Sequence, residues 1–196
     1  MRLHVSTDIP LSEPNVDFGY VTWFSVDVYE DDGPEPKRIG HARIARLHAE
    51  NAYDHHDPLV QALAAASAEL RALYDVFYED AWLKEWVTDG VDHDLVYVQK
   101  IEMDAEYSAR NVDLALVRRL CDVVMHGAGL VVIPYSSPEK FAHWMQLGFV
   151  MSTPDVNQGY LHLDLDVRRP RVDDPDKPGY FRFLPNPLPF ETENHH

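Results

Sequence analysis

The chain has one cysteine, Cys121, in 196 residues. No intrachain disulfide can form, which suits a reducing compartment. No apolar run approaches the length that spans a bilayer. The stretch Met1-Arg2-Leu3-His4-Val5-Ser6-Thr7-Asp8 lacks the apolar core of a signal peptide, so a cytoplasmic location is expected. Basic residues are scarce: 17 Lys and Arg stand against 33 Asp and Glu, for a net charge of −16. The pI is near 4.9. Phosphate backbones and anionic lipid surfaces are bound through basic clusters. The charge balance therefore predicts no nucleic-acid and no membrane partner, and favours cationic partners such as amines or basic peptides.

A metal-ligand pattern is also missing. His55, His56 and Asp57 are adjacent, but neighbours in sequence rarely ligate one ion together, and no spaced Cys or carboxylate set completes a site. No metal is expected. Cys121 lies among Leu120, Val123 and Val124 with no His at motif spacing. It reads as a packed core thiol rather than a nucleophile.

What is present is a globular pattern. Hydrophobic residues make up 45% of the chain, enough for one sizeable domain. We place that domain at 1–167, followed by a Pro-rich, charged arm at 168–196. Residues 1–17, with Pro10 and Pro14, read as extended or loop. Tyr20 to Tyr29 and Arg38 to His48 read as an antiparallel hairpin joined by an acidic turn. Asp57-Pro58 reads as a helix start, and the stripe Leu59, Leu63, Ala66, Leu70, Leu73, Phe77 predicts one amphipathic helix. Glu79 to Val87 is expected to form a second short helix, with Trp82 and Trp86 in the core. Leu161, Leu163, Leu165 and Val167 alternate as a final strand, after a turn through Pro154 and Gln158. In the arm, Tyr180, Phe181, Phe183, Leu184, Leu188 and Phe190 are too apolar for a solvated tail. They are expected to dock on their own domain or on a second subunit, the latter giving a homodimer through the arm.

The stretch from Asp94 to Phe149 carries the strongest order. Leu95 to Met103 reads as a strand, Glu106 to Asn111 as a polar loop, and Val112 to Val124 as an apolar-faced helix. Gly129 to Pro134 reads as a strand, Glu139 to Leu147 as a helix, and Leu147-Gly148-Phe149 as a turn. A helix that begins just after a strand points its free N–H groups beyond the strand end, a geometry suited to anions.

From about Leu95 to Met151 the chain resembles the cofactor-binding half of the GNAT superfamily of N-acetyltransferases. The resemblance implies an α+β fold: a central mixed, mostly antiparallel sheet flanked by helices, here with an extended C-terminal arm. It also implies acetyl-CoA or another acyl-CoA as cofactor, its pyrophosphate held by a loop of pattern Gln/Arg-x-x-Gly-x-Gly/Ala. Laid on that pattern, Ser108 stands at the Gln/Arg position, Asn111 at the first Gly and Asp113 at the second. Glycine lets a backbone approach phosphate and adopt positive φ, and Asn can follow at some cost. A carboxylate at 113 favours the helix through its dipole but repels pyrophosphate. Trp144 takes the position where the family often has a Tyr acid. Two helices followed by three antiparallel strands are usual in the family's N-terminal half, whereas here a hairpin precedes the helices.

The residues expected to hold cofactor are Met103, Ser108, Ala109, Arg110, Asn111, Val112, Asp113 and Ser136. N-acyl transfer needs a base for the amine and a donor for the thioester oxygen. Lys100, Glu102 and Asp104 share a strand face by the two-residue period. Glu102 or Asp104 is the expected base, against a plain charged face as the alternative. The N–H of Met103 or Asp104 would polarise the thioester, and Tyr135 would stand in as acid. His143 reads as a surface residue. Two functions stay open: an acyl-CoA-dependent N-acyltransferase acting on an amine or basic peptide, and a silent GNAT-fold binding or regulatory module.

Overall fold

Strand β1, Arg2–Thr7, runs antiparallel to β2, Val21–Glu30, from Arg2 opposite Tyr29 to Thr7 opposite Phe24. The computed structural model describes residues 1–9, 19–31, 33–152, 159–173 and 180–184. The expectations for Pro10, Pro14, the turn from Pro154 to Gln158, Leu188 and Phe190 lie outside them. β1 falls within the stretch read as extended or loop, and its pairing with β2 makes it a strand. It is an outer strand, mostly exposed on both faces, so it leaves no apolar alternation to read. Backbone pairing alone places it.

β3, Lys37–Leu47, completes the expected hairpin, with a register shift between Arg43 and Ile44 where it meets the later strand β6, Leu95–Met103. Helices α1 (Ala49–Asp54), α2 (Leu59–Ala66) and α3 (Ala68–Phe77) follow. The single helix expected from Leu59 to Phe77 is broken at Ser67. Its backbone is extended and its hydroxyl accepts the Leu70 N–H at 3.0 Å, a local N-cap that restarts the helix. The predicted short helix at 79–87 is instead a two-residue hairpin of β4 (Tyr78–Glu79) and β5 (Trp82–Leu83). Asp80 and Ala81 both have positive φ, the backbone a tight hairpin requires. Trp82 and Trp86 are exposed at 42% and 46%, not core.

Then come β6 (Leu95–Met103), α4 (Ala105–Ser108), α5 (Val112–Val123), β7 (Leu130–Pro134) and α6 (Pro138–Trp144). A 3-10 turn over Met145–Leu147 leads to β8 (Val150–Met151) and β9 (Tyr160–Asp164). β9 stops at Asp164, short of the alternation read to Val167. In the arm, β10 (Arg171–Asp173) pairs with β11 (Arg182–Leu184).

Seven strands form one sheet in the order β1-β2-β3-β6-β7-β9-β8. Its pairs are antiparallel except β6 with β7. The period-two alternation of β6 sends its side chains to two cores. Val96 and Val98 pack with Val112, Leu116 and Leu120. Leu95 and Tyr97 pack with Leu63, Leu70 and Leu73 on the other face. Helices thus cover both faces, as the resemblance implies. Each fully buried leucine contributes roughly 1.5–3 kcal/mol relative to exposure.

Candidate functional site

β6 and β7 lie parallel for only three residue pairs, Leu95 to Tyr97 opposite Leu130 to Val132. Beyond that point β6 continues along β3, and β7 continues along β9. The register shift on β3 falls opposite Gln99, the residue skipped between Val98 and Lys100. A bulge bends its strand, so the two parallel strands part here. The crevice that opens lies at the carboxyl ends of parallel strands, a usual place for ligands in mixed sheets.

One group at this opening escaped sequence reading. Glu69, in the first turn of α3, accepts bonds from the Tyr97 hydroxyl and the Gln99 side-chain amide. Tyr160 on β9 stands edge-on to Tyr97 with ring centres 6.3 Å apart. Burial, then the Glu69 bond, pushes the Tyr97 hydroxyl well above its ordinary pKa. Burial, then the Glu69 charge, raises Tyr160 as well. Both phenols therefore stay protonated near neutrality, and Tyr97 donates to Glu69. No local signal joins Glu69 to Tyr97 and Gln99, because helix packing on the sheet brings them together.

The loop after β6 is closed on itself. The Asp104 N–H donates to Ile39 O at 2.9 Å, so it is not free to polarise a carbonyl. The N–H groups of Tyr107, Ser108 and Arg110 donate to carbonyls of Asp104, Asp104 and Tyr107 at 2.9, 3.3 and 3.0 Å. Asn111 has φ 57° and ψ 29°, the left-handed conformation that its glycine counterpart would favour. Its side-chain amide donates to Phe181 O at 2.9 Å, and the Phe181 N–H donates back to Arg110 O at 3.0 Å. The Arg110 guanidinium lies over the Tyr107 and Tyr180 rings, 4.6 and 5.2 Å from their centres. The arm therefore docks on its own domain at this loop, and Phe181 and Phe183 pack against the core.

Asp113 is buried. One carboxylate oxygen accepts the Leu114 N–H at 2.9 Å, and the other lies 2.8 Å from His143 Nε2. This corrects His143 from a surface residue to the partner of Asp113. The carboxylate occupies the N-terminal turn of α5 with a donor from α6 beside it.

The other expected site residues are scattered. Glu102 is exposed and paired with Lys100 at 2.7 Å. That bond holds its carboxyl below the usual value, which weakens it as a base. Asp104 is off the strand, at the start of α4, and 3.8 Å from Lys37. Met103 packs partly buried against the α5 side of the core, and Val112 is buried there. Ser108 and Ala109 are exposed at the end of α4. Tyr135 is partly buried at the end of β7, and Ser136 is exposed beside it. Trp144 is buried edge-on to Phe149. Gly148, at φ 96°, makes the expected Leu-Gly-Phe turn.

The parting parallel strands, the loop and helix between them, and the closing glycine turn form an α+β fold with the arrangement that the resemblance to the GNAT superfamily implies. No family model matches the chain, and no curated protein matches it. Among solved structures it is similar to one of a KacTA–DNA complex, at 11% identity and a TM-score of 0.45. It is also similar to a point mutant of the AtaT toxin bound to the C-terminus of the antitoxin AtaR and acetyl-CoA, at 9% identity and 0.43. The same AtaT mutant with AtaR alone gives 10% and 0.44. Each covers 84% of this chain and 94% of the other.

The expectation of no nucleic-acid partner, drawn from net charge alone, is corrected to this extent: one of the similar structures is a complex with DNA. Net charge describes a whole chain, and a local basic cluster can override it. Arg118, Arg119 and Arg171 gather beside one cavity here despite the net charge of −16. Among the described residues no helix is long and apolar enough to cross a membrane.

Proposed function

We propose that this GNAT-like chain works as a binding or regulatory module whose loop is held by its own arm instead of by an acyl-CoA pyrophosphate. The pairing of Phe181 with Arg110 and Asn111 carries the reading. Three further features support it. The loop N–H groups close on loop carbonyls. The Asp113 carboxylate fills the helix N-terminus, where it competes with any anion. Trp144 brings no acid for a leaving thiolate.

A second reading, an N-acyltransferase acting on an amine, is favoured by one observation. The crevice holds Glu69 with two protonated phenols, a carboxylate beside hydroxyl donors. On this reading Glu69, rather than Glu102 or Asp104, is the base, and Tyr160 or Tyr135 supplies the acid.

Calorimetric titration of the full chain with acetyl-CoA separates the two, with thermal stabilisation measured in parallel. The module reading expects no heat and no stabilisation at millimolar cofactor. Micromolar binding would overturn it, and would call for amine acceptors to be tested with Glu69→Gln.

A further inference from the structure

A cavity of about 740 Å³ lies away from the crevice, between β1, β2, the flank of α5 and the arm. Its floor is apolar, with Leu3, Val28, Leu116, Leu120 and Phe181. Met1, Val5, Val123 and Val172 line it and remain exposed to solvent. Exposed apolar side chains gathered in one concavity mark an interaction site far better than scattered ones. The volume falls within the range of small-ligand pockets, about 300–1,000 Å³. The wall from Val112 to Val123 is roughly 16 Å long at the helical rise.

The rim is cationic, against the sign of the whole chain. Arg2, Arg118, Arg119 and Arg171 border it, with Asp122 as the acidic residue among them. Arg118 is committed to Asp122 and to the Pro170 carbonyl, and Arg2 to Asp31. Among the described residues Arg119 and Arg171 have no ion pair. Two guanidinium groups thus face an apolar trough with no acidic partner among the described residues. Guanidinium binds carboxylate and phosphate in paired fashion.

We infer that this cavity binds a single-chain amphiphile with an anionic head, its tail along α5 and its carboxylate or phosphate against Arg119 and Arg171. The site shares no polar group with the crevice, but Phe181 belongs both to its floor and to the arm's contact with the loop, so the site rests on the docked arm of the proposed module.

The test titrates the full chain with dodecanoate and dodecyl phosphate below their micelle concentrations, with dodecyltrimethylammonium as the cationic control. One saturable site for either anion is expected, absent for the cation. The double variant Arg119→Glu with Arg171→Glu should weaken binding at least about tenfold, the scale of losing charge-assisted contacts. Ala115→Phe, which fills the cavity wall, should abolish binding while leaving the thermal midpoint near that of the parent. Tighter binding of dodecanoate identifies a fatty carboxylate as the ligand, and tighter binding of dodecyl phosphate a phosphorylated one. No saturable binding, equal binding of the cation, or unchanged affinity in the double variant would overturn the inference.

Discussion

Asp113 Oδ2 lies 2.8 Å from His143 Nε2, joining the first turn of α5 to α6. The same carboxylate accepts the Leu114 N–H, so one side chain in the first turn of α5 satisfies a free helix N–H and ties two helices. Asp113→Ala is expected to cost about 1–2 kcal/mol, through the lost carboxylate at the helix N-terminus and an unpaired, part-buried hydrogen-bond partner. Urea unfolding measures it. A double-mutant cycle with His143→Ala should show coupling, whereas simple additivity would mean that the pair contributes nothing.

Burial pushes the Asp94 carboxyl upward, but bonds from His48 and Arg46 outweigh that and hold it below the usual value. A depressed carboxyl pKa gives stability above the unfolded value of roughly 3.9. That stability falls away as pH drops through the lower folded value. Urea midpoints measured from pH 7 down to pH 2 should show this acid limb, and Asp94→Asn should flatten it.

Arg110 is held between Tyr107 and Tyr180. Arg110→Ala should loosen the arm without unfolding the sheet. Hydrogen exchange is expected to quicken at Phe181, whose N–H is bonded to the loop. Unchanged exchange there would show that backbone bonds alone hold the arm.

Gly148 has φ 96°, and an added Cβ would meet Leu163 Cδ1 only at 3.4 Å. Space is therefore adequate and the cost is backbone strain, about 1–2 kcal/mol. Gly148→Ala should lower the unfolding free energy by that amount, read as a lower urea midpoint with an unchanged slope.

Gly129 gives the opposite case. A Cβ there would come within 2.0 Å of the Asp92 carbonyl oxygen. The clash is with backbone, so the loop before β6 must move. Gly129→Ala is expected to cost about 1–3 kcal/mol, the usual range for overpacking, read from the thermal midpoint.

Much of the framework was legible because its signals are local. The alternation of Leu95 to Val98, the stripe of α5, and the apolar run Leu130 to Ile133 each declare an element and its buried side. Gly148 before Phe149 declared a turn. Hydrophobic burial repeats at the period of the backbone, so these elements can be read without the fold. Ser67 and the Asp80-Ala81 turn were harder. There a single cap and two positive-φ residues overrode an otherwise helical pattern.

By itself, then, the sequence determined the order of β6, α5, β7 and α6, the buried thiol of Cys121 and the departures from glycine at Asn111 and Asp113. Only the tertiary structure decided what those departures do. Asn111 meets Phe181 across 70 positions and Asp113 meets His143 across 30. Glu69, Tyr97 and Gln99 converge in the same way. Such contacts are made by packing one element on another, and no local periodicity records which polar side chains that packing will bring face to face.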